Sequence, residues 1–243
     1  MLDEYLDSSN PGFAALPEYL QSVLVGSRLA DLAREAEQAM RSRPAGKRSE
    51  RTVEQILDVT EELFARGDLA AISTNRVAAE LGVNVATVYR YFDNLESIVS
   101  MVCLRYEIRL HLMLATLFEP IARVDDWRAE CGSIIDSIAR YRIARPENPP
   151  LAAVLQVKES YRPIADAATW TSGEILGSIL HLRRPDVPLE QWLPIARVSS
   201  VILRSGLSVA CTADPPDVEH VELLKGALER YFEPFVESPV AVS

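Results

Sequence analysis

Thr74-Asn75-Arg76-Val77-Ala78-Ala79-Glu80-Leu81-Gly82-Val83-Asn84-Val85-Ala86-Thr87-Val88-Tyr89-Arg90-Tyr91-Phe92 is the stretch on which the reading of this chain turns. Val77, Ala78 and Leu81 recur at helical spacing behind Ser73, whose hydroxyl suits an N-cap. Gly82 then offers a tight turn, because glycine tolerates positive φ without steric cost. Val83 is expected to plug inward. A second short helical pattern follows, with Val88 and Phe92 four apart and therefore on one face. The opposite face shows Thr87, Tyr89, Arg90 and Tyr91, with Asn84 just before it. Their hydroxyls, amide and single cation suit base edges and phosphates. Upstream, Val53, Ile56, Leu57, Leu63 and Phe64 mark one face of a helix over residues 50–66. Three short helices at these separations, with small Ala78 at the crossing, have the spacing of a helix-turn-helix. Its second helix would enter the major groove, N-terminal residues against the bases.

Charge supports this locally and not globally. The 243 residues carry a formal net charge of −10, yet residues 41–51 hold five bases against one acid. A nucleic-acid contact needs a basic patch rather than a basic protein. Arg43, Lys47 and Arg48 of this arm are the expected phosphate contacts, because the short recognition segment carries little charge of its own.

Composition sets the outer limits. A chain 48% hydrophobic and 25% charged is of ordinary globular type, not collagen-like, disordered or a disulfide scaffold. No run approaches about 18 uncharged apolar residues, and no basic leader opens the chain, so a cytoplasmic protein with no membrane partner is expected. Cys103, Cys131 and Cys211 lie far apart without a C-x-x-C pair and read as buried small hydrophobes. No metal and no cofactor is expected. No phosphate-binding, dinucleotide or serine-nucleophile motif occurs, and the three histidines supply only loose pairings such as Glu107 with His111. A catalytic role is therefore not expected.

Apolar residues recur at three- and four-residue intervals to the C-terminus, and no alternating strand pattern appears, so the fold class is all-α. Helices are expected at about 17–42, 50–66, 74–81, 85–91, 95–118, 126–144, 150–158, 163–182, 189–211 and 217–236, with Pro194 kinking the ninth or marking its start. The chain divides into an amphipathic extension (1–40), a basic arm with the helix-turn-helix (41–94) and a helical domain (95–243). The extension's apolar stripe, including Leu20, Leu24 and Leu29, is expected to pack on the protein with its acids near the arm.

Residues 74–92, followed by Leu95-Glu96-Ser97-Ile98, resemble the TetR/AcrR family of bacterial transcriptional regulators. The resemblance implies an N-terminal DNA-binding domain, a C-terminal effector-binding and dimerising domain, and repression from a palindromic operator relieved by a small ligand. By position, Thr74 and Asn75 would cap the first helix of the motif near phosphate. Asn84, Val85, Ala86 and Thr87 would start the recognition helix, with Tyr89 and Tyr91 on the DNA backbone. The family's lysine at the start of the next helix is Leu95 here, so that phosphate contact is expected to be lost. The alternative is a protein-interaction module with a vestigial helix-turn-helix.

In the C-terminal domain, residues 95–118 are apolar on nearly every face, the pattern of a buried helix. Tyr106, His111, Trp127, Tyr141, Gln156, Trp170 and Glu174 supply polar groups among aromatics, the ingredients of a small-molecule pocket. Arg140 and Arg142 would favour an anionic effector and Glu174 a cationic one; the sequence does not choose. The helix over 189–211 is apolar on two faces, one with Leu203 and Leu207, the other with Val198 and Val209. With Val221, Leu224, Leu228 and Phe232 of the next helix, Leu203 and Leu207 are the expected homodimer interface.

Overall fold

Side-chain caps open seven of the helices in the computed structural model, which describes residues 2–67, 72–145, 147–213 and 215–237. The expected breaks at 67–73, 145–149 and 212–216 fall in part on residues outside these. Twelve α-helices are found among the described residues, and no strand. The extension forms α1 (Pro11–Ala14), α2 (Glu18–Val25) and α3 (Arg28–Gln38). The helix-turn-helix region holds α4 (Lys47–Ala65), α5 (Thr74–Glu80) and α6 (Val85–Tyr91). The rest comprises α7 (Leu95–Phe118), α8 (Trp127–Ala144), α9 (Asn148–Val157), α10 (Arg162–Arg183), α11 (Leu189–Thr212) and α12 (Val218–Val236).

The extension departs most from its sequence reading. The single helix expected over 17–42 is two helices, because Ser27 caps the second. Its Oγ accepts from the Ala30 amide at 3.2 Å and donates to the Leu24 carbonyl at 2.8 Å. The chain before it is ordered too, and Leu2 and Phe13 are buried. Leu20, Leu24, Leu29, Ala30 and Ala33 are buried where α2 and α3 pack on α10 and α7. The extension is thus part of the core.

α7 is central, packing on α3, α4, α10 and α9. It is apolar on nearly every face because most of it is covered by other helices. Asn94 starts it with a capping box, exchanging hydrogen bonds with Ser97. Leu95 packs against the core from this first turn. α10 and α11 form a close pair. A Cβ on Gly173 of α10 would lie 2.6 Å from Arg197 Cγ of α11, so glycine sets their separation. Pro194 lies inside α11 and does not mark its start. The segment Leu189–Cys211 is long and apolar enough to cross a membrane, contrary to expectation. Here it lies against α10, α12, α9 and α8.

Candidate nucleic-acid interface and cavity

Ser73 opens α5, its Oγ accepting from the Arg76 amide at 3.1 Å. Val77 and Ala78 point into the core. At the corner, Gly82 takes φ 65°, a left-handed conformation that L side chains rarely adopt. The Val83 amide then donates back to the Ala78 carbonyl at 3.0 Å, closing the end of α5. Asn84 caps α6, accepting from the Ala86 amide at 2.9 Å. Val88 and Phe92 bury against the core and hold α6 down.

This leaves Asn84, Ala86, Tyr89 and Arg90 outward, with Val85 and Thr87 half-buried. Two expectations are corrected. Tyr91 is buried at 6% exposure, because it follows Val88 by three positions and shares its inward face. Val83 does not plug the corner; it is 37% exposed. Thr74 is also buried, and its Oγ1 lies 3.0 Å from the Tyr89 hydroxyl. This bond fixes the start of α5 to α6. Asn75 remains exposed.

The structure divides the basic arm. The Arg41 amide donates to the Tyr91 carbonyl at 3.1 Å, pinning the arm beside α6. Arg41, Val85, Ala86, Tyr89 and Arg90 line one shallow concavity. Arg41 was not among the expected contacts, since charge alone does not show which arm residue the backbone brings to the recognition helix. Arg43 instead lies in a hollow with Glu4, Glu37 and Glu50, and Lys47 in one with Glu50, Glu54 and Asp58. Arg48 is exposed.

Between this region and the C-terminal domain runs a buried ionic link. Arg105 of α7 bonds Asp58 at 2.8 Å and Glu61 at 2.9 Å on α4, and Arg109 bonds Glu61 at 2.7 Å. Arg105 and Glu61 are buried at the centre of this link, and Asp58 closes it from the exposed side.

A cavity lies among α7, α8, α10, α11 and α12, walled largely by aliphatic and aromatic side chains. Of the expected pocket residues the structure brings only Trp127 to its wall. Tyr106 is buried elsewhere, and loss of water pushes its hydroxyl up to about 12. His111 clamps α7 to α10, with Nδ1 2.6 Å from the Glu107 carbonyl and Nε2 2.7 Å from the Ala168 carbonyl. Burial lowers its pKa against the pull of Glu107. Tyr141 is half-buried off the cavity, and Gln156 is exposed. Trp170 is 49% exposed and stacks under Arg197 at 3.7 Å, with Glu174 4.0 Å from the same arginine. Helical periodicity shows that these helices have several apolar faces, but not which face meets the cavity. The polar groups at the wall are Arg142, Arg183, Arg204, Ser172, Ser199 and Ser200. Of these only Arg142 entered the sequence reading as an effector contact.

The expected dimer residues are also relocated. Leu207, Val221, Leu224, Leu228 and Phe232 are buried within the chain, and half-buried Leu203 lines the cavity. These residues close the chain's own core. The outward stripe of α11 is Val198, Val201, Ser205 and Val209, and α12 leaves Val218 and Leu223 exposed.

Comparison with known proteins agrees with this geometry. Residues 56–101 match the family model "Bacterial regulatory proteins, tetR family". Two uncharacterized HTH-type transcriptional regulators of Mycobacterium tuberculosis, from strains CDC 1551 / Oshkosh and ATCC 25618 / H37Rv, are each 32% identical over 113 residues. The match takes in 45% of this chain and 51% of each relative, so the chain spans about half the length of the curated relatives it matches. A solved TetR-family transcriptional regulator from Streptomyces coelicolor is similar with a TM-score of 0.49 at 20% identity, over 74% of this chain and 96% of that one. The matched residues take in most of α4, all of α5 and α6 and the start of α7, so it is this helix-turn-helix segment that is similar to the tetR family of bacterial regulatory proteins.

Proposed function

We propose that this chain is a dimeric one-component regulator that acts in the cytoplasm. It represses from a palindromic operator and is released by a small apolar or amphipathic effector. The carrying observation is the concavity at the start of α6, where Arg41, Tyr89 and Arg90 surround small Val85 and Ala86. Cations flank a surface small enough to approach base edges, and the aliphatic groups suit thymine methyls. A protein bound there blocks polymerase. The cavity supports the effector part, because α7 runs from the end of the reading head to the cavity wall at Leu110, Leu114 and Phe118. The Arg105 and Arg109 ion pairs tie the same helix to α4, so a shift of α7 re-aims both.

Binding of the protein to DNA from upstream of its own coding region, followed by fluorescence anisotropy, tests the reading. If about three cations per subunit (Arg41, Arg48 and Arg90) meet phosphates, a dimer neutralises about six. Log K should then fall with log salt at a slope near −5. Affinity that hardly changes with salt would remove the arm and Arg90 from the interface.

A second copy is the proposed cover for the α11 stripe, since two such helices from each subunit make an isologous interface. Val201→Asp should convert a dimer to a monomer by light scattering and weaken operator binding at least about tenfold, about 1.4 kcal/mol. A Val201→Asp protein that remains dimeric would move the interface elsewhere.

A further inference from the structure

The cavity holds three arginines and no carboxylate among its lining residues. Two of the arginines are committed. Arg183 donates to the Ile121 carbonyl at 2.9 Å and the Val124 carbonyl at 2.6 Å. Arg204 forms a two-fold ion pair with buried Glu107, one arm at 3.2 Å. Arg142 is different. It is 5% exposed, its Nε is buried without a hydrogen-bond partner, and it forms no ion pair among the described residues. A guanidinium cannot shed its proton, so burial without a counter-ion is costly.

The charges beneath that end of the cavity do not cancel. Glu107 is the nearby carboxylate and already carries Arg204, with Arg142 acting on it from beyond pairing distance. Two guanidinium charges thus face one carboxylate. The hydroxyls of Ser172, Ser199 and Ser200 donate to helix carbonyls and carry no charge that could balance Arg142. Glu174, the group that would have favoured a cationic ligand, pairs with Arg197 and does not line the cavity. The shape adds a second constraint. Along α8 the wall runs from Trp127 to Arg142 through Cys131, Ile134, Ile135 and Ile138, which is roughly 22 Å of helix at about 1.5 Å per residue.

We propose that the effector is an amphipathic monoanion, its elongated apolar body lying along α8 and its single carboxylate-type head paired with Arg142. This rests on the effector reading above and narrows it to a chemical class. Arg183 keeps its charge too, but its guanidinium is taken up by backbone carbonyls; Arg142 is the lining arginine with an Nε left without a partner, and its planar fork suits a carboxylate.

The test compares three ten-carbon probes on the full chain by calorimetry, each below its micelle concentration: decanoate, decanol and decyltrimethylammonium. Decanoate is expected to bind at least about tenfold more tightly than decanol, with the cation weakest. Arg142→Met should reduce the preference for the acid over the alcohol to within about threefold while decanol still binds. Arg142→Lys, which keeps the charge, should retain most of it. Equal binding of acid and alcohol by the unaltered protein overturns the anionic head and leaves an apolar effector in place, as does a preference that survives in Arg142→Met. Failure of all three probes to bind overturns the effector cavity together with its ligand class. Should Arg142→Met not fold, the comparison of the three probes on the unaltered protein decides alone.

Discussion

Glu107→Ala is expected to cost about 3–5 kcal/mol of folding stability, the usual loss when one partner of a buried ion pair is removed. Glu107 is fully buried, and Arg204 is paired to it. Without the carboxylate, Arg204 and Arg142 stand as two uncompensated cations in an apolar interior. For a chain of this size the melting temperature should fall by roughly 6–20 °C. Arg204→Met in the same chain should recover much of that loss, because an apolar pair of similar volume often replaces a buried ion pair without penalty.

Acid should reach the same site. Burial by itself raises the Glu107 pKa, but attraction and hydrogen bonding from Arg204, with help from His111 and Arg142, overcome it and hold the carboxyl below its ordinary value. A depressed carboxyl contributes stability that is present above the unfolded value near 4.5 and is lost as pH falls through the folded value. His111 acts earlier and in the same direction. Its pKa is lowered by burial, so the unfolded chain takes up the proton first as pH drops below about 6.5. Melting temperature should therefore decline from about pH 6.5 downward, and in a Glu107→Ala protein the further decline below about pH 4.5 should be gentler. A flat profile between pH 7 and 4 would contradict the assignment of both groups.

Leu20→Ala should destabilise the protein by about 2–5 kcal/mol, the range for emptying a fully buried leucine site. Leu20 is 0% exposed where α2 lies on α10. Calorimetric melting should show a drop of roughly 4–20 °C. Val25→Ala on the same helix, at a site 42% exposed, should change it little. Equal and small effects at both sites would make the extension a loose appendage, against the burial seen for Leu2, Phe13, Leu24 and Leu29.

The reading head was legible in the sequence because its determinants are local. Ser73 and Asn84 cap by their own side chains, Gly82 supplies the one backbone conformation the corner requires, and Val88 and Phe92 share a face by spacing alone. The all-α class and most helix ends followed from the same short-range rules. The extension was half legible: its apolar stripe was visible, but the division at Ser27 and the burial of Leu2 and Phe13 depend on α7 and α10 offering surface to cover.

Only tertiary structure decided the rest. Leu207 and Phe232 look like an interface in sequence, yet the close pairing of α10 with α11 and the return of α12 fold them inward, leaving Val198 and Val201 outside. Tyr106, His111 and Trp170 carry pocket chemistry by type, but each helix here has more than one apolar face, and packing alone selects which one meets the cavity. Arg140 and Arg142 read alike in the sequence, yet Arg140 is exposed and Arg142 buried. That Arg142 lacks a counter-ion depends on Glu107 being taken by Arg204 of a distant helix, and no spacing rule reaches that far.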